Sequence, residues 1–176
     1  MIGYGGAAGS GKSDLALGMA GTTRHRRSII FRRVFPSLRS MIDRSRDIFN
    51  APNSTALKDR FNESLHIWHL ENGKTIEFGA VQYDDDKRKH QGQPRDFMVF
   101  DEAAEFLESQ VRYLMAWNRS VDASIQPQTL LTFNPPSNAE GQWIIKFFGP
   151  WLDEANKRPA QPGELRYFYS SEGKEY

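Results

Sequence analysis

Residues 6–13 read GAAGSGKS. A glycine-rich stretch ending in a lysine is either a plain strand-to-helix bend or a cradle for a phosphate. The positions separate the two. Gly6, Gly11, Lys12 and Ser13 occupy the fixed places of the pattern G-x-x-x-x-G-K-[ST]. Glycines let backbone N–H groups turn inward and approach an anion closely. A helix that begins at the lysine aims its positive end at the same anion. On this reading Gly6, Ala7, Ala8, Gly9, Ser10, Gly11, Lys12 and Ser13 bind a nucleotide, with Lys12 on the β- and γ-phosphates of ATP and Ser13 on Mg²⁺. A dinucleotide-binding loop is a poorer match. That motif wants an acidic residue about 20 positions on, and residues 24–33 supply arginines instead.

The flanks agree with a phosphate loop. Residues 2–4 read as a strand stub, and 12–20 as a helix with Leu15 and Met19 four apart. Residues 28–33 form a buried-strand candidate, and Pro36 suits the first turn of a helix running to 49. The chain breaks at 51–54, with a short helix to 61. Residues 64–71 and 75–81 flank Asn72-Gly73, a strong hairpin signal. Residues 83–95 read as a polar loop. Residues 97–100 (FMVF) are wholly apolar, as in a strand covered on both faces. A helix is predicted over 102–118, a strand over 128–133 ended by Asn134-Pro135-Pro136, a helix over 140–148 stopped by Gly149-Pro150, and a last strand over 165–169. Apolar strands alternating with helices predict an α/β fold with a mainly parallel sheet, helices on both faces and the hairpin as an antiparallel addition.

A phosphate loop needs a carboxylate at the end of a nearby strand. Asp101 follows the apolar run 97–100 and is the candidate metal carboxylate. Glu102 is then placed to orient and polarise an attacking water. The competing reading is that both acids merely favour the start of a helix. Ligands in open α/β sheets gather at the carboxyl ends of strands, so Thr132 and Asn134 are candidates to sense the γ-phosphate or the water. The alternative for Asn134 is a simple proline turn.

The chain of 176 residues is long enough for one core, and 39% hydrophobic and 26% charged residues are ordinary for a globular domain. The net charge of +1 gives no global pull toward nucleic acid or membrane. There is no cysteine, which excludes disulfides and thiolate metal sites. No apolar run approaches a membrane span. Arginine dominates residues 24–46, with a single aspartate. Within it Arg32 and Arg33 leave a strand at the ligand-bearing end; they either contact phosphate or DNA or serve as surface ion pairs. Arg119 is a further candidate for an arginine finger. Asp84-Asp85-Asp86 adjoin Lys87-Arg88-Lys89 and read as a self-neutralising loop. His66 and His69 face opposite sides of a strand, a poor zinc pair, and the tryptophans read as core or rim.

GGAAGSGKS, then SIIFRRVFPSL, then HQGQPRDFMVFDEAAEF, then LLTFNPP with a following Gly-Gln-Trp, resembles in order and spacing the ATPase domain of the large terminase subunit of tailed bacteriophages. The resemblance covers nearly the whole chain. It implies an additional-strand P-loop ATPase that drives double-stranded DNA into a preformed capsid, working as a ring with a portal protein and a small terminase subunit in the host bacterial cytoplasm. It implies Lys12 and Ser13 for phosphate and Mg²⁺, Asp101 for Mg²⁺, Glu102 for water activation, and Asn134 in the motif that couples hydrolysis to movement. Two departures stand out. Many terminases carry an arginine inside the phosphate loop, where this chain has Ala7 and Ala8, so another arginine must supply that charge. The family's adenine-contacting segment precedes the loop, which here begins at residue 6. Residues 1–176 therefore read as one ATPase domain with its start truncated and the family's C-terminal nuclease domain absent. A helicase or recombination ATPase, and a nucleotide-gated assembly module with negligible turnover, are the alternative readings.

Overall fold

The computed structural model describes residues 1–22, 24–49, 61–70 and 73–166, together with the backbone of 168–169 and 174–175. Its centre is a seven-stranded sheet. The strands are β1 (Ile2–Gly5), β2 (Arg27–Arg32), β3 (Phe61–Asn62), β4 (Ile67–His69), β5 (Thr75–Ala80), β6 (Phe97–Phe100) and β7 (Gln128–Phe133), in the spatial order β1-β7-β6-β2-β5-β4-β3. From β1 to β5 every neighbour pair is parallel; β4 and β3 add on antiparallel. β7 lies between the phosphate-loop strand and the acidic strand, which is the additional-strand arrangement.

Alternation along the strands divides the core. Phe97 and Val99, with Ile30 and Leu130, pack against Ala16, Leu17 and Ala20 of α1 (Lys12–Thr22) and Leu38 and Met41 of α2 (Phe35–Phe49). Met98 and Phe100, with Ile29, Phe31 and Leu131, pack on the other face against Val111 and Leu114 of α3 (Glu108–Met115) and Ile144 and Phe147 of α4 (Trp143–Phe147). A strand buried on both faces has to be apolar at every position, and all four residues of β6 are buried. Trp68 closes the hairpin end: its indole N–H donates to Ser45 Oγ at 2.8 Å, and its ring meets Phe49 and Phe61.

The structure corrects several expectations. The hairpin is present, but its first strand begins only at Ile67; Asn62 Oδ1 accepts from the N–H groups of Ser64 and Leu65 and turns the chain there, with His66 at φ 52°. The polar loop contains a 3-10 helix over Asp84–His90, in which Asp84, Asp85 and Asp86 each pair with the base three residues on. The helix expected over 102–118 is interrupted. A 3-10 turn (Ala103–Glu105) comes first, and α3 starts only at Glu108, because Phe106 turns into the core and its carbonyl takes the Trp143 indole N–H at 2.9 Å. Gly149-Pro150 does not end helical structure but opens α5 (Gly149–Leu152), with proline at a position where a missing N–H costs nothing. β8 (Phe168–Tyr169) pairs with β9 (Lys174–Glu175), apart from the main sheet. The short helix expected near residues 55–61 lies mostly outside the described residues.

Candidate nucleotide site

Register assembles the site. Phe100 stands level with Phe31 of β2 and with Leu131 of β7. The residues one step on, Arg32, Asp101 and Thr132, are therefore level too. Each lies two positions past a residue packed beneath α1 and α2, namely Ile30, Val99 and Leu130, so all three project to that same face. The start of α1 carries Lys12 and Ser13, and the first turn of α2 carries Ser37. Sheet and helices together bring the phosphate loop, an acid, a hydroxyl and a guanidinium to one point.

Asp101 is 1% exposed and has a full set of partners. Thr132 Oγ1 donates to its Oδ1 at 2.5 Å. Arg32 Nε donates to its Oδ2 at 2.8 Å, a second guanidinium nitrogen stands 2.6 Å from the same oxygen, and Ser13 Oγ donates to it at 3.4 Å. Arg32 also donates to the Ser37 carbonyl at 2.6 Å and lies 3.7 Å from Glu102 Oε1. A buried carboxylate needs such compensation, since the bare charge would carry a large desolvation cost.

Glu102 does not begin a regular helix. It adopts φ 59° and ψ 49°, the left-handed region, which is uncommon for a side chain larger than glycine's. Its N–H donates to Thr132 Oγ1 at 3.3 Å, and its carbonyl accepts from Glu105 N at 2.9 Å. This turn leaves the side chain 44% exposed while its neighbour is buried.

The phosphate loop departs from β1 with Gly6 N–H on the Phe133 carbonyl at 3.1 Å, and Gly9 and Gly11 take φ of 79° and 75°. Lys12 folds back over it: Nζ donates to the Gly6 carbonyl at 2.9 Å, the Ala7 carbonyl at 2.6 Å and Ser10 Oγ at 3.0 Å. All three ammonium protons are thus held by acceptors of the loop that the lysine belongs to.

The remaining candidates are not gathered here. Arg33 donates to Gln110 Oε1, and Gln110, fully buried, also takes the Leu107 N–H and donates to the Val81 and Tyr83 carbonyls. Arg33 therefore fastens β2 to α3. Asn134 is exposed in the irregular segment just beyond β7. Arg119 lies at the opposite, N-terminal edge of the parallel strands: its N–H donates to the Arg95 carbonyl just before β6, and its guanidinium sits 5.3 Å from the Trp117 ring. Within one chain it cannot reach the phosphate loop. Sequence reasoning did not single out Gln110 or the Ser37 carbonyl; nothing local distinguishes them from surface residues.

A family model for the N-terminal part of the T4likevirus-type terminase large subunit matches residues 4–172. The chain belongs to that family. Among solved structures it is similar to the large terminase of a thermophilic bacteriophage, at 19% identity and a TM-score of 0.55 over 76% of this chain and 33% of that one. The same phage protein in complex with ADP matches at 20% identity and a TM-score of 0.53, over 76% of this chain and 33% of that one. The ATPase domain of the large terminase of Thermus phage P74-26 matches at 16% identity and a TM-score of 0.54, over 92% of this chain and 72% of that one. At such identities the likeness shows the fold. The chain spans about a third of the length of the first of these large terminases. No curated protein matches the sequence. Among the described residues of this terminase domain, no helix is long and apolar enough to cross a membrane.

Proposed function

We propose that this domain binds and hydrolyses Mg-ATP, and that in an assembled terminase the hydrolysis translocates double-stranded viral DNA into a capsid. Its setting is a homo-oligomeric ring at the portal protein, served by the small terminase subunit, in the host bacterial cytoplasm. The observation that supports this best is the convergence of Ser13 and Asp101, 3.4 Å apart beneath a phosphate loop, with Glu102 beside them. Membership of the terminase family supports a packaging motor over a helicase or recombination ATPase, which would share the loop and the acidic pair.

The donor set fits Mg²⁺. A hydroxyl and a carboxylate are the hard oxygen ligands that this ion takes, and Ser13 and Asp101 would hold it. Mg²⁺, if bound there, would supply neutralisation of the phosphate charge. The loop N–H groups bind the phosphates, and Lys12 exchanges its loop acceptors for phosphate oxygens. Glu102, in its left-handed turn, orients a water in line with the γ-phosphate and takes its proton. Thr132 donates to the Asp101 carboxylate and accepts from the Glu102 backbone N–H, so a shift of β7 reaches both residues together. Asn134, beyond the end of β7, is where that shift would pass to the rest of the motor.

The test is Mg-ATP turnover against protein concentration for the natural chain and Glu102→Gln. Loss of a general base lowers turnover by about 10²–10⁴-fold, with ATP binding retained. Turnover rising faster than concentration would mark a site completed by a neighbour. Ala7 and Ala8, standing where many terminases carry an arginine, favour a second reading: a module gated by nucleotide with negligible turnover. ATP binding without hydrolysis by either protein at any concentration would leave that module, or a motor domain without its arginine and its ring, as the two readings.

A further inference from the structure

Arg32 presents its guanidinium to Asp101 through two nitrogens, at 2.8 and 2.6 Å from one carboxylate oxygen. That oxygen, Oδ2, is also the one that Ser13 faces. A cation held between Ser13 and Asp101 would need the lone pairs that Arg32 now occupies. The guanidinium would in addition be brought close to a doubly charged ion, in a place where the side chains of Arg32 and Asp101 are only 12% and 2% exposed, so solvent would screen the repulsion poorly. Arg32 and the metal are thus rivals for one carboxylate oxygen. The partners of Arg32 other than Asp101 show where it can turn: Glu102 Oε1 is 3.7 Å away, and the Ser37 carbonyl anchors the opposite nitrogen.

We propose that Arg32 holds the cation's place on Asp101, and that the two bind this oxygen in competition, so that arrival of a divalent cation frees the Arg32 guanidinium toward Glu102 and the nucleotide. The phosphate loop carries no arginine of its own, with Ala7 and Ala8 at its tip. Arg32 would supply that positive charge only after the cation is in place, which prevents the site from being fully armed while it is empty.

The inference rests on reading this site as the Mg-ATP site, and the experiment separates the two. Mn²⁺ is titrated into nucleotide-free protein, with free Mn²⁺ followed by electron paramagnetic resonance. Competition requires that Arg32→Gln bind Mn²⁺ more tightly than the natural chain, by about tenfold or more. Arg32→Lys, which keeps the charge but loses the two-pronged contact, should fall between them. Unchanged or weaker Mn²⁺ binding in Arg32→Gln would overturn the competition while leaving the Mg-ATP reading intact; no Mn²⁺ binding by either protein, with or without ATP, would overturn both. If Arg32→Gln does not fold, the natural chain answers the question through the ¹⁵N–¹H resonance of Arg32 Nε, assigned by its loss in Arg32→Lys. Saturating Mg²⁺ should move that resonance toward the position of a solvated guanidinium; a resonance that stays in place would overturn the proposal.

Discussion

Strand β6 has an aspartate at each end. Asp96 precedes it and Asp101 follows it, and both are buried, at 3% and 1% exposure. Their partners differ in kind. Asp96 accepts from backbone N–H groups: Arg26 at 3.1 and 2.9 Å and Arg27 at 2.8 Å. Those donors are fixed by the course of the chain into β2, and nothing can replace them without unfolding that entry. Asp101 accepts from the side chains of Ser13, Arg32 and Thr132. Side chains can turn away, so their places can be taken by another cation. Burial and charge alone do not distinguish a structural acid from a ligand-binding one; the mobility of the donors does.

The largest effect that would break this comparison comes from substituting both acids by asparagine. Asp101→Asn should lower Mg-ATP turnover on the order of 10²-fold or more, since charge stabilisation of the reacting phosphate is lost. Asp96→Asn should leave turnover per folded molecule within about twofold. It should instead cost about 2 kcal/mol of stability, the worth of hydrogen bonds to a charged group. Urea unfolding and a turnover assay on the same preparations check both. If Asp96→Asn loses turnover without losing stability, the division between the two ends of β6 is wrong.

The contrast also marks how far the sequence could be read. The phosphate loop, the apolar strand and the acids after it were legible because each is a local pattern: fixed spacing, or an unbroken apolar run. The parallel character of the sheet followed from helices alternating with its strands. Arg32 could not be told from Arg33, because their fates depend on which strands stand beside β2 and at what register. One step along a strand turns the side chain to the other face, so Arg32 reaches Asp101 and Arg33 reaches Gln110. Asp96 passed unnoticed since an aspartate after Pro-Arg resembles any loop acid until the β2 entry is folded against it. The left-handed Glu102 was illegible for a related reason. Its local sequence favours a helix, and the bond from its N–H to Thr132 and the pull of Phe106 into the core override that preference.

A smaller effect is expected at His90, where burial outweighs one backbone hydrogen bond, to Ala80. It lies edge-on to the Phe31 ring, with centroids 4.8 Å apart. Burial pushes its pKa below the ordinary 6.5; Glu77 and the Ala80 backbone hydrogen bond raise it, and Arg95 and Lys89 lower it, by lesser amounts. The folded chain therefore holds His90 neutral where the unfolded chain already takes up a proton. Its contribution to stability is complete above pH 6.5 and is lost as pH falls from there through the lower folded pKa. Urea midpoints measured at intervals from about pH 8 to 5 should fall once the pH drops below the ordinary histidine value, and the fall should be shallower in His90→Gln. Carboxylates titrating at the acid end affect both proteins alike, so the difference between the two curves isolates the histidine. Parallel curves would show that the site by Phe31 readily admits the charged ring.

The smallest effect separates the two ends of the sheet most cleanly. Arg119 shares an end with Asp96: its N–H is on the Arg95 carbonyl, and its guanidinium stacks on Trp117 and donates to the Gly92 carbonyl at 3.2 Å. Arg119→Ala should leave Mg-ATP turnover unchanged in dilute protein, since the whole length of the parallel strands separates it from the phosphate loop. The informative arm is at high concentration, where neighbours could complete one another's sites. If turnover there is also unchanged, Arg119 does not supply the charge missing from the loop, and Arg32, beside Asp101 and Glu102, is the next arginine to substitute. If turnover falls only when the protein is concentrated, Arg119 reaches across to a neighbour. Mixing Arg119→Ala with Glu102→Gln would then restore activity, because a Glu102-bearing site would stand beside an Arg119-bearing partner, and the N-terminal end of β6 would be functional after all.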